Sequence, residues 1–335
     1  MTCCVLRAAR LLRAACCALV MATPVRGQTH VIVVTGASGE AKYASSFHTV
    51  TSALIDALVT KHGLSADDIT YLAEEPARDA ARIDGKSTKE EVGRAIARIA
   101  NNARADDQVL VVLIGHGSHS GSDSRFNLPG PDLTAAELAT MLAPLKAMQV
   151  AVVNAASASG DFLPVLSGKN RVVITATKSS YERNETLFPR HFVAAFATPG
   201  ADTDKDERVS LLEAFLYAKR EVAREYDTET RLPTEHAMLD DDGDRRGSAQ
   251  PDARSGDGSL ARRFIIGRAR VASSATGDAN ASSALVTRKA QLEAQVDSLR
   301  RRKDSMPADA YERDLERLLL ELARVSQAIR QSASP

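Results

Sequence analysis

The strongest constraint on the fold is a regular alternation of short apolar runs and helical patterns between residues 29 and 180. Five runs are rich in β-branched residues and contain almost no polar ones: 31–35, 69–72, 109–114, 150–153 and 172–175. Strands that are apolar along their whole length are buried on both faces, and strands that alternate with helices pair in parallel. The sequence therefore predicts an α/β fold whose mainly parallel sheet carries helices on both faces.

Amphipathic helical patterns separate the apolar runs. Two of these helices are predicted to begin with a capping box, Ser87 with Glu90 and Thr134 with Glu137, in which each side chain bonds a free amide of the first turn. Three later segments complete the predicted body, two of them helical and the last one extended: 188–197, 210–226 and 263–266.

Changes in composition predict the domain boundaries. One α/β domain covers residues 28–267 and includes two acidic loops, 202–213 and 240–258. A linker rich in Ser, Ala and Gly follows at 268–283, and residues 284–332 show the alternating spacing of a heptad seam. This pattern predicts an antiparallel helical hairpin that packs on itself, on the body or on another copy of the chain. The apolar positions of its two helices are Leu292, Val296 and Leu299, then Tyr311, Leu315, Leu318, Leu322, Val325 and Ile329.

The N-terminal 27 residues have the layout of a secretory leader. Three arginines precede an uncharged apolar stretch at 14–22, and the small residues Val25 and Gly27 precede the expected cut. A slightly basic tail is the alternative. The apolar stretch is much shorter than the ~20 residues that span a bilayer. We expect an exported protein, periplasmic or secreted, with no stable membrane insertion.

All four cysteines lie inside the predicted leader, at positions 3, 4, 16 and 17. The exported chain would then contain no disulfide, no thiolate metal site and no cysteine nucleophile. The leader also carries four arginines and no acid, so the remainder of a chain with 43 basic and 43 acidic residues is slightly acidic. Without a basic patch, we expect no binding of nucleic acid.

Two predicted strands end in residues that could carry chemistry. His116 follows the third run between two glycines, and Ser157 and Ser159 follow the fourth run within a series of small residues. In a doubly wound sheet, functional groups gather at the carboxyl ends of the strands. A histidine between glycines is suited to act as a general base beside backbone amides that hold an oxyanion.

These segments resemble the legumain-like cysteine peptidases, which include asparaginyl endopeptidases and glycolipid-anchor transamidases and share a caspase-like fold. The similarity extends from residue 29 to at least residue 181. It includes Val-Val-Thr-Gly-Ala-Ser-Gly at 33–39, Lys-His-Gly-Leu-Ser-Ala-Asp-Asp-Ile at 61–69, Gly-His-Gly around His116, and Ala-Ala-Ser-Ala-Ser-Gly at 155–160.

The resemblance implies peptide-bond hydrolysis, with roles for three positions. His116 would be the base, the amide of Gly117 would hold the oxyanion, and Ser157 stands where the family has its nucleophilic cysteine. Ala155 and Ala44 stand where the family has an acidic residue and an arginine that help to hold the asparagine of the substrate. Asparagine-directed cleavage is therefore not expected.

The replacement of cysteine by serine leaves two functions open. A hydroxyl must lose its proton to a base during attack, and serine enzymes orient that base with an acid, which we cannot assign from the sequence. The chain is either a catalytically silent homologue that binds a peptide or protein, or an active serine peptidase with a Ser157–His116 dyad. A solute-binding protein is a weaker alternative, because no glycine-rich phosphate loop opens a helix.

A second pattern lies outside the resemblance. Oxygen-bearing side chains occupy positions 1, 3, 5, 9 and 12 of a twelve-residue loop, with a backbone carbonyl available at position 7, which is the spacing of an EF-hand-type calcium loop. Glu207 replaces the glycine of position 6, and a solvated loop that caps the following helix is the alternative. The predicted ligands of a structural Ca²⁺ are Asp202, Asp204, Asp206, the carbonyl of Arg208, Ser210 and Glu213. No organic cofactor is expected.

Overall fold

Seven strands form one sheet with helices on both faces in the computed structural model of the protein. The model describes residues 27–120, 123–145, 149–254 and 256–267. In the C-terminal segment it describes residues 285, 288, 289, 291–293, 295, 296, 298, 299, 303 and 306–333. This architecture confirms the predicted α/β class with a mostly parallel central sheet and helices on both faces, while the caspase-like fold implied by the resemblance stays a prediction.

The strands within the described ranges are, in chain order, β1 (Thr29–Thr35), β2 (Ile69–Ala73), β3 (Gly85–Lys86), β4 (Gln108–Ile114), β5 (Gly117–Ser120), β6 (Asp123–Phe126), β7 (Leu133–Thr134), β8 (Gln149–Asn154), β9 (Arg171–Thr175) and β10 (Met238–Asp240). The main sheet has the order β10-β9-β8-β4-β1-β2-β3, and β5, β6 and β7 form a small antiparallel sheet. All neighbours in the main sheet are parallel except β9 and β10.

The continuous helices that the described residues form are α1 (Ala41–Thr60), α2 (Lys89–Asn102), α3 (Ala135–Leu142), α4 (Phe162–Leu166), α5 (Phe188–Ala195), α6 (Leu211–Thr228), α7 (Ser259–Arg263) and α8 (Ala308–Ala333). Alternate residues of β1 enter different cores. Val31 and Val33 pack with α1, α5 and α6 on one face, whereas Ile32 and Val34 pack with α2, α3 and α4 on the other. Burial of both faces explains why these strands read as unbroken apolar runs.

One predicted helix start is wrong by one residue. The amide of Ser87 donates to the carbonyl of Ala73, which fixes Ser87 beside the sheet edge, and its side chain is fully buried. The cap is therefore Thr88, whose hydroxyl accepts a bond from the amide of Glu91. Ser87 and Glu90 form no capping box. The second predicted box, Thr134 with Glu137, is confirmed.

The predicted strand at 263–266 is also wrong. Arg263 ends α7, and the next residues contact the start of α6 instead of the main sheet: the carbonyl of Phe264 accepts a bond from the amide of Leu211. Phe264 and Ile266 are buried there, and a short apolar run has the same composition whether it is buried in a strand or in a loop. The last strand of the sheet is instead Met238–Asp240.

In the C-terminal segment, α8 packs against the residues described between 285 and 299, all of which are helical. Arg288 is bound to Glu321, and Lys303 lies over the ring of Tyr311, so the two sides run antiparallel. Packing of this segment on itself agrees with the predicted hairpin, while oligomerisation through it stays a prediction. The buried residues of this cluster are Leu292, Val296, Leu299 and Leu318.

Within the described residues, no helix is long and apolar enough to cross a membrane. The predicted leader lies outside the described residues except for Gly27, and the predicted linker at 268–283 lies entirely outside them.

Candidate active site

The site lies where the strand order reverses. From β1, the chain adds β2 on one side and then returns to add β4, β8 and β9 on the other, so the loops after β1 and β4 leave in opposite directions. Open α/β sheets bind ligands in the crevice at such a switch point, outside the carboxyl ends of the strands. His116 follows β4 at this point, and Ser157 follows the adjacent strand β8.

His116 is half-buried between aromatic rings of α1. Its ring centroid lies 4.5 Å from that of Tyr43 and 5.2 Å from that of Phe47. Burial lowers the pKa of His116, which the charges of Glu185 and Glu40 and a hydrogen bond to the backbone of Ser38 partly oppose. A lowered pKa keeps the imidazole neutral near pH 7, as a general base requires. Among the described residues, no carboxylate forms a hydrogen bond or ion pair with this ring.

Ser157 is buried and bonded to Gly117 instead of His116. Its side chain is 3% exposed. The Oγ atom accepts a hydrogen bond from the Gly117 amide at 3.2 Å and donates to the Gly117 carbonyl at 3.4 Å. No hydrogen bond joins Oγ to a ring nitrogen of His116. The amide expected to hold an oxyanion is thus occupied by the serine hydroxyl itself.

Close approach of the two loops requires glycine at position 117. A Cβ atom there would lie 2.1 Å from the carbonyl oxygen of Ser157, far inside van der Waals contact. On the other loop, Ala158 has φ of 51° and is fully buried, and its amide donates to the carbonyl of Glu182 at 2.8 Å. A left-handed alanine is strained, and such strain collects at functional sites and tight turns.

Ser159 and Asp161, which follow Ser157 in the same loop, have structural partners. Ser159 is 1% exposed, and its hydroxyl lies 3.1 Å from the Thr177 hydroxyl and accepts from the Thr177 amide at 3.2 Å. Asp161 lies 3.8 Å from Nδ1 of His119 and accepts a bond from Ser124, so it faces a different histidine. The His119–Asp161 contact was not predicted from the sequence, although both residues flank the two candidate loops.

Two cavities share Phe47 of α1 in their walls, and His116 lines only the smaller of them. The smaller, about 110 Å³, is lined by His116, Phe47, Glu185 and Arg190 among others. The larger, about 510 Å³, opens at the ends of β1 and β2 and has a size common for ligand sites. Its walls carry charges of both signs that sequence reasoning missed, since they are scattered along the chain and meet only through the order of the strands: Glu40, Glu74, Glu75, Arg78 and Lys86.

The acidic loop before α6 brings three of its predicted ligands together. Carboxylate oxygens of Asp202, Asp204 and Asp206 lie within 4.8 Å of one another. Burial, with the charges of Asp206 and Glu213, raises the pKa of Asp204 to about 6. Glu207 at position 6 has φ of 63°, the left-handed conformation that normally favours glycine, and its amide donates to Asp202. The backbone thus turns sharply at the predicted position without a glycine.

The other predicted ligands of this loop already have partners. Ser210 and Glu213 form the capping box of α6, and the second oxygen of Glu213 accepts from the amide of Thr203 at 2.9 Å. Arg208 and Lys289 form ion pairs with Asp206, at 2.5 Å and 3.5 Å. Arg262 also lies 3.9 Å from Asp204. The three aspartates therefore fit a cation, but that cation would compete with three basic side chains, and the helix-cap alternative describes Glu213 correctly.

No protein-family model matches the chain. A search of curated proteins finds no significant match either. The fold and the site define an α/β protein with a mainly parallel sheet, in which a histidine and a serine follow adjacent strands at the switch point.

Proposed function

We propose that the protein is a homologue of the legumain-like peptidases that has lost catalysis and uses its cleft to bind a peptide or protein. The observation that carries the proposal is the hydrogen bonding of Ser157, whose Oγ is bonded in both directions to Gly117 and not to His116. A base must lie within hydrogen-bond reach of the proton that it removes, directly or through one water.

The caspase-like fold expected from the resemblance is part of this proposal. It is supported by the mainly parallel sheet with helices on both faces, and by the position of His116 and Ser157 after adjacent strands. The small antiparallel sheet begins at Gly117, directly after His116, and Gly117 also bonds Ser157 of the serine loop.

Loss of catalysis follows from three properties of the site. The hydroxyl of Ser157 is held away from the base, the Gly117 amide is occupied, and no described carboxylate orients His116. An unoriented base and a filled oxyanion site remove the two largest contributions to acyl transfer by serine. The alternative, an active dyad, is favoured by the lowered pKa of His116, and it requires Ser157 to rotate away from Gly117.

The proposed ligand is a peptide with charged side chains. The larger cavity carries both acidic and basic groups, and Glu74 is fixed in it by the hydroxyl of Ser38 at 2.6 Å and the amide of Ser38 at 2.9 Å. A carboxylate fixed in this way is suited to bind a basic side chain of a ligand. Arg78 and Lys86 can bind an acidic one.

A fluorophosphonate probe tests the two functions against each other. The silent homologue predicts no labelling of the wild-type chain, with or without Ca²⁺. Labelling that disappears in S157A would establish the active dyad. Binding to a peptide array tests the cleft. E74Q is expected to lose binding of basic peptides, whereas S45A, which changes an exposed residue of α1, is expected to bind them as the wild type does.

We further propose that loop 202–213 binds a structural Ca²⁺ through Asp202, Asp204 and Asp206. The three converging carboxylates and the sharp turn at Glu207 support it. Titration calorimetry with CaCl2 tests it, since D202A should remove one binding event. E213Q keeps a capping box and removes one charge, so it should weaken this event without unfolding the helix start.

Export is proposed as well, with cleavage after Gly27. The amide of Gln28 donates to Asp107, and β1 begins at Thr29, so only Gln28 separates the proposed cut from the first strand. Sequencing the N-terminus of the exported protein should give Gln28 as the first residue. An uncleaved N-terminus on a protein retained in the cytoplasm would refute the proposal.

A further inference from the structure

A second acidic cluster lies at the antiparallel edge of the main sheet. Asp240 ends β10, Asp242 follows in the next turn, and Asp257 precedes α7. One carboxylate oxygen from each lies within 4.8 Å of those of the other two. Because Ca²⁺ binds oxygens at 2.3–2.6 Å, two ligands on opposite sides of the ion are about 4.8 Å apart, so the three oxygens fit one coordination shell.

Asp240 supplies the decisive observation. The residue is fully buried, and its Oδ1 accepts a bond from the amide of Gly243 at 3.1 Å. Its Oδ2 is buried with no hydrogen-bond partner among the described residues. A buried carboxylate oxygen without a partner is costly, and the other polar groups of a folded protein are nearly always satisfied.

Backbone amides fix the other two carboxylates in the same way. Asp242 accepts from the amide of Asp244, and Asp257 accepts from the amide of Asp241, each at 2.9 Å. Each of the three acids is thus anchored by one amide. The fourth acid, Asp241, does not join the cluster, because its two oxygens accept bonds from the amides of Gly258 and Ala261 at the start of α7.

No basic side chain neutralises this cluster. Among the described residues, no lysine or arginine forms an ion pair with Asp240, Asp242 or Asp257, in contrast to the loop before α6. The missing positive charge is the one that a bound cation would supply.

We propose that Asp240, Asp242 and Asp257 bind a divalent cation, with Ca²⁺ as the preferred ion, and that this cation fastens the acidic loop 240–258 to the edge of the sheet. All three ligands are carboxylates, the hard oxygen donors that Ca²⁺ and Mg²⁺ select. The ion would join the end of β10 to the start of α7, which the contacts of Asp241 already bring together. The site is independent of loop 202–213.

Calorimetric titration of the EDTA-treated full chain with CaCl2 tests the proposal. D242N changes an exposed residue and should remove one binding event, while D244N, an exposed aspartate of the same loop outside the cluster, should keep it. E213Q should leave this event intact whether or not loop 202–213 binds calcium, so failure of one site is distinguishable from failure of the other. An isotherm that is the same in the wild type, D242N and D240N would overturn the proposal.

Thermal unfolding gives a second readout. Saturating Ca²⁺, at about 100 times the Kd, should raise the Tm of the wild type by about 4–5 °C. D240N removes a buried unpartnered charge, so its Tm without calcium should be higher than that of the wild type, and calcium should raise it by less. A D240N chain that is destabilised without calcium, together with D242N that keeps the full calcium-induced rise, would contradict a cation site.

Discussion

The hydrogen bonds of Ser157 predict that S157A destabilises the protein. The substitution removes the acceptor of the Gly117 amide at 3.2 Å and a weaker donor to the Gly117 carbonyl at 3.4 Å. A net hydrogen bond contributes about 1 kcal/mol, and a buried donor left without a partner costs about 1–3 kcal/mol. Because Gly117 is only half-buried and water can reach part of it, we expect a loss of about 1–2 kcal/mol.

Urea denaturation measures this loss as a lower midpoint at an unchanged slope. S159A is the matched comparison, because Ser159 is equally buried and its hydroxyl also makes two hydrogen bonds, to the amide and the hydroxyl of Thr177, so it should lose a similar amount. S45A changes an exposed serine on α1 and should lose nothing. If Ser157 were instead an activated nucleophile, S157A would leave the stability unchanged or raise it, because catalytic residues are often held in positions that destabilise the folded protein. A chain that S157A leaves unchanged or stabilises would refute the structural role of Ser157.

Three further predictions concern strain, charge and helix propensity. A158G should raise stability by about 1 kcal/mol, because glycine adopts the observed φ of 51° without strain, and a loss of stability in urea would contradict this. The ion pair with Lys89, at 2.7 Å, and the bonds from Thr134 lower the pKa of Glu137 to about 2, so its stabilisation is present above the ordinary pKa of 4.5 and is lost as the pH falls toward 2. The Glu137 side chain is 41% exposed, so E137Q, which keeps the capping box, should cost at most about 1 kcal/mol at pH 7, and E137A should cost more. As the pH falls from 7 to 2, the Tm of the wild type should approach that of E137Q, whereas E137A, which lacks the capping box at every pH, should stay below E137Q. G93A should raise the Tm, since alanine is favoured over glycine in a helix by about 0.5–1 kcal/mol and the added methyl meets its nearest neighbour at 3.6 Å; a lower Tm would show that α2 is packed more tightly than this distance indicates.

The strands of the sheet could be predicted because their burial leaves a simple pattern. All five apolar runs lie within observed strands, and residue-by-residue alternation between two cores requires apolar side chains at every position. The last strand, Met238–Asp240, could not be found in this way. It is three residues long, ends in an aspartate and pairs at the sheet edge, so its sequence carries no apolar run.

The candidate site was predicted in position but not in contacts. Parallel strands bring their carboxyl ends to one edge, which places His116 near the loop of Ser157. Whether Oγ bonds to the imidazole or to Gly117 depends on differences of about one ångström between loops, which spacing along the chain does not determine. The unpartnered oxygen of Asp240 could not be predicted from the sequence either. Asp240 is buried by the tertiary packing of the edge strand, and the acidic segment that contains it has no distinctive sequence pattern.

The most direct test of the silent site is the acidity of a thiol placed at position 157. In the full chain with its four native cysteines changed to serine, S157C introduces a single thiol, whose pKa follows from the pH dependence of alkylation by iodoacetamide. A site without a working dyad predicts a thiol pKa at or above the ordinary value of about 8.5, because position 157 is buried, and H116A should not change it. A thiol pKa well below 7 that returns toward the ordinary value in H116A would contradict the account and establish His116 as its partner.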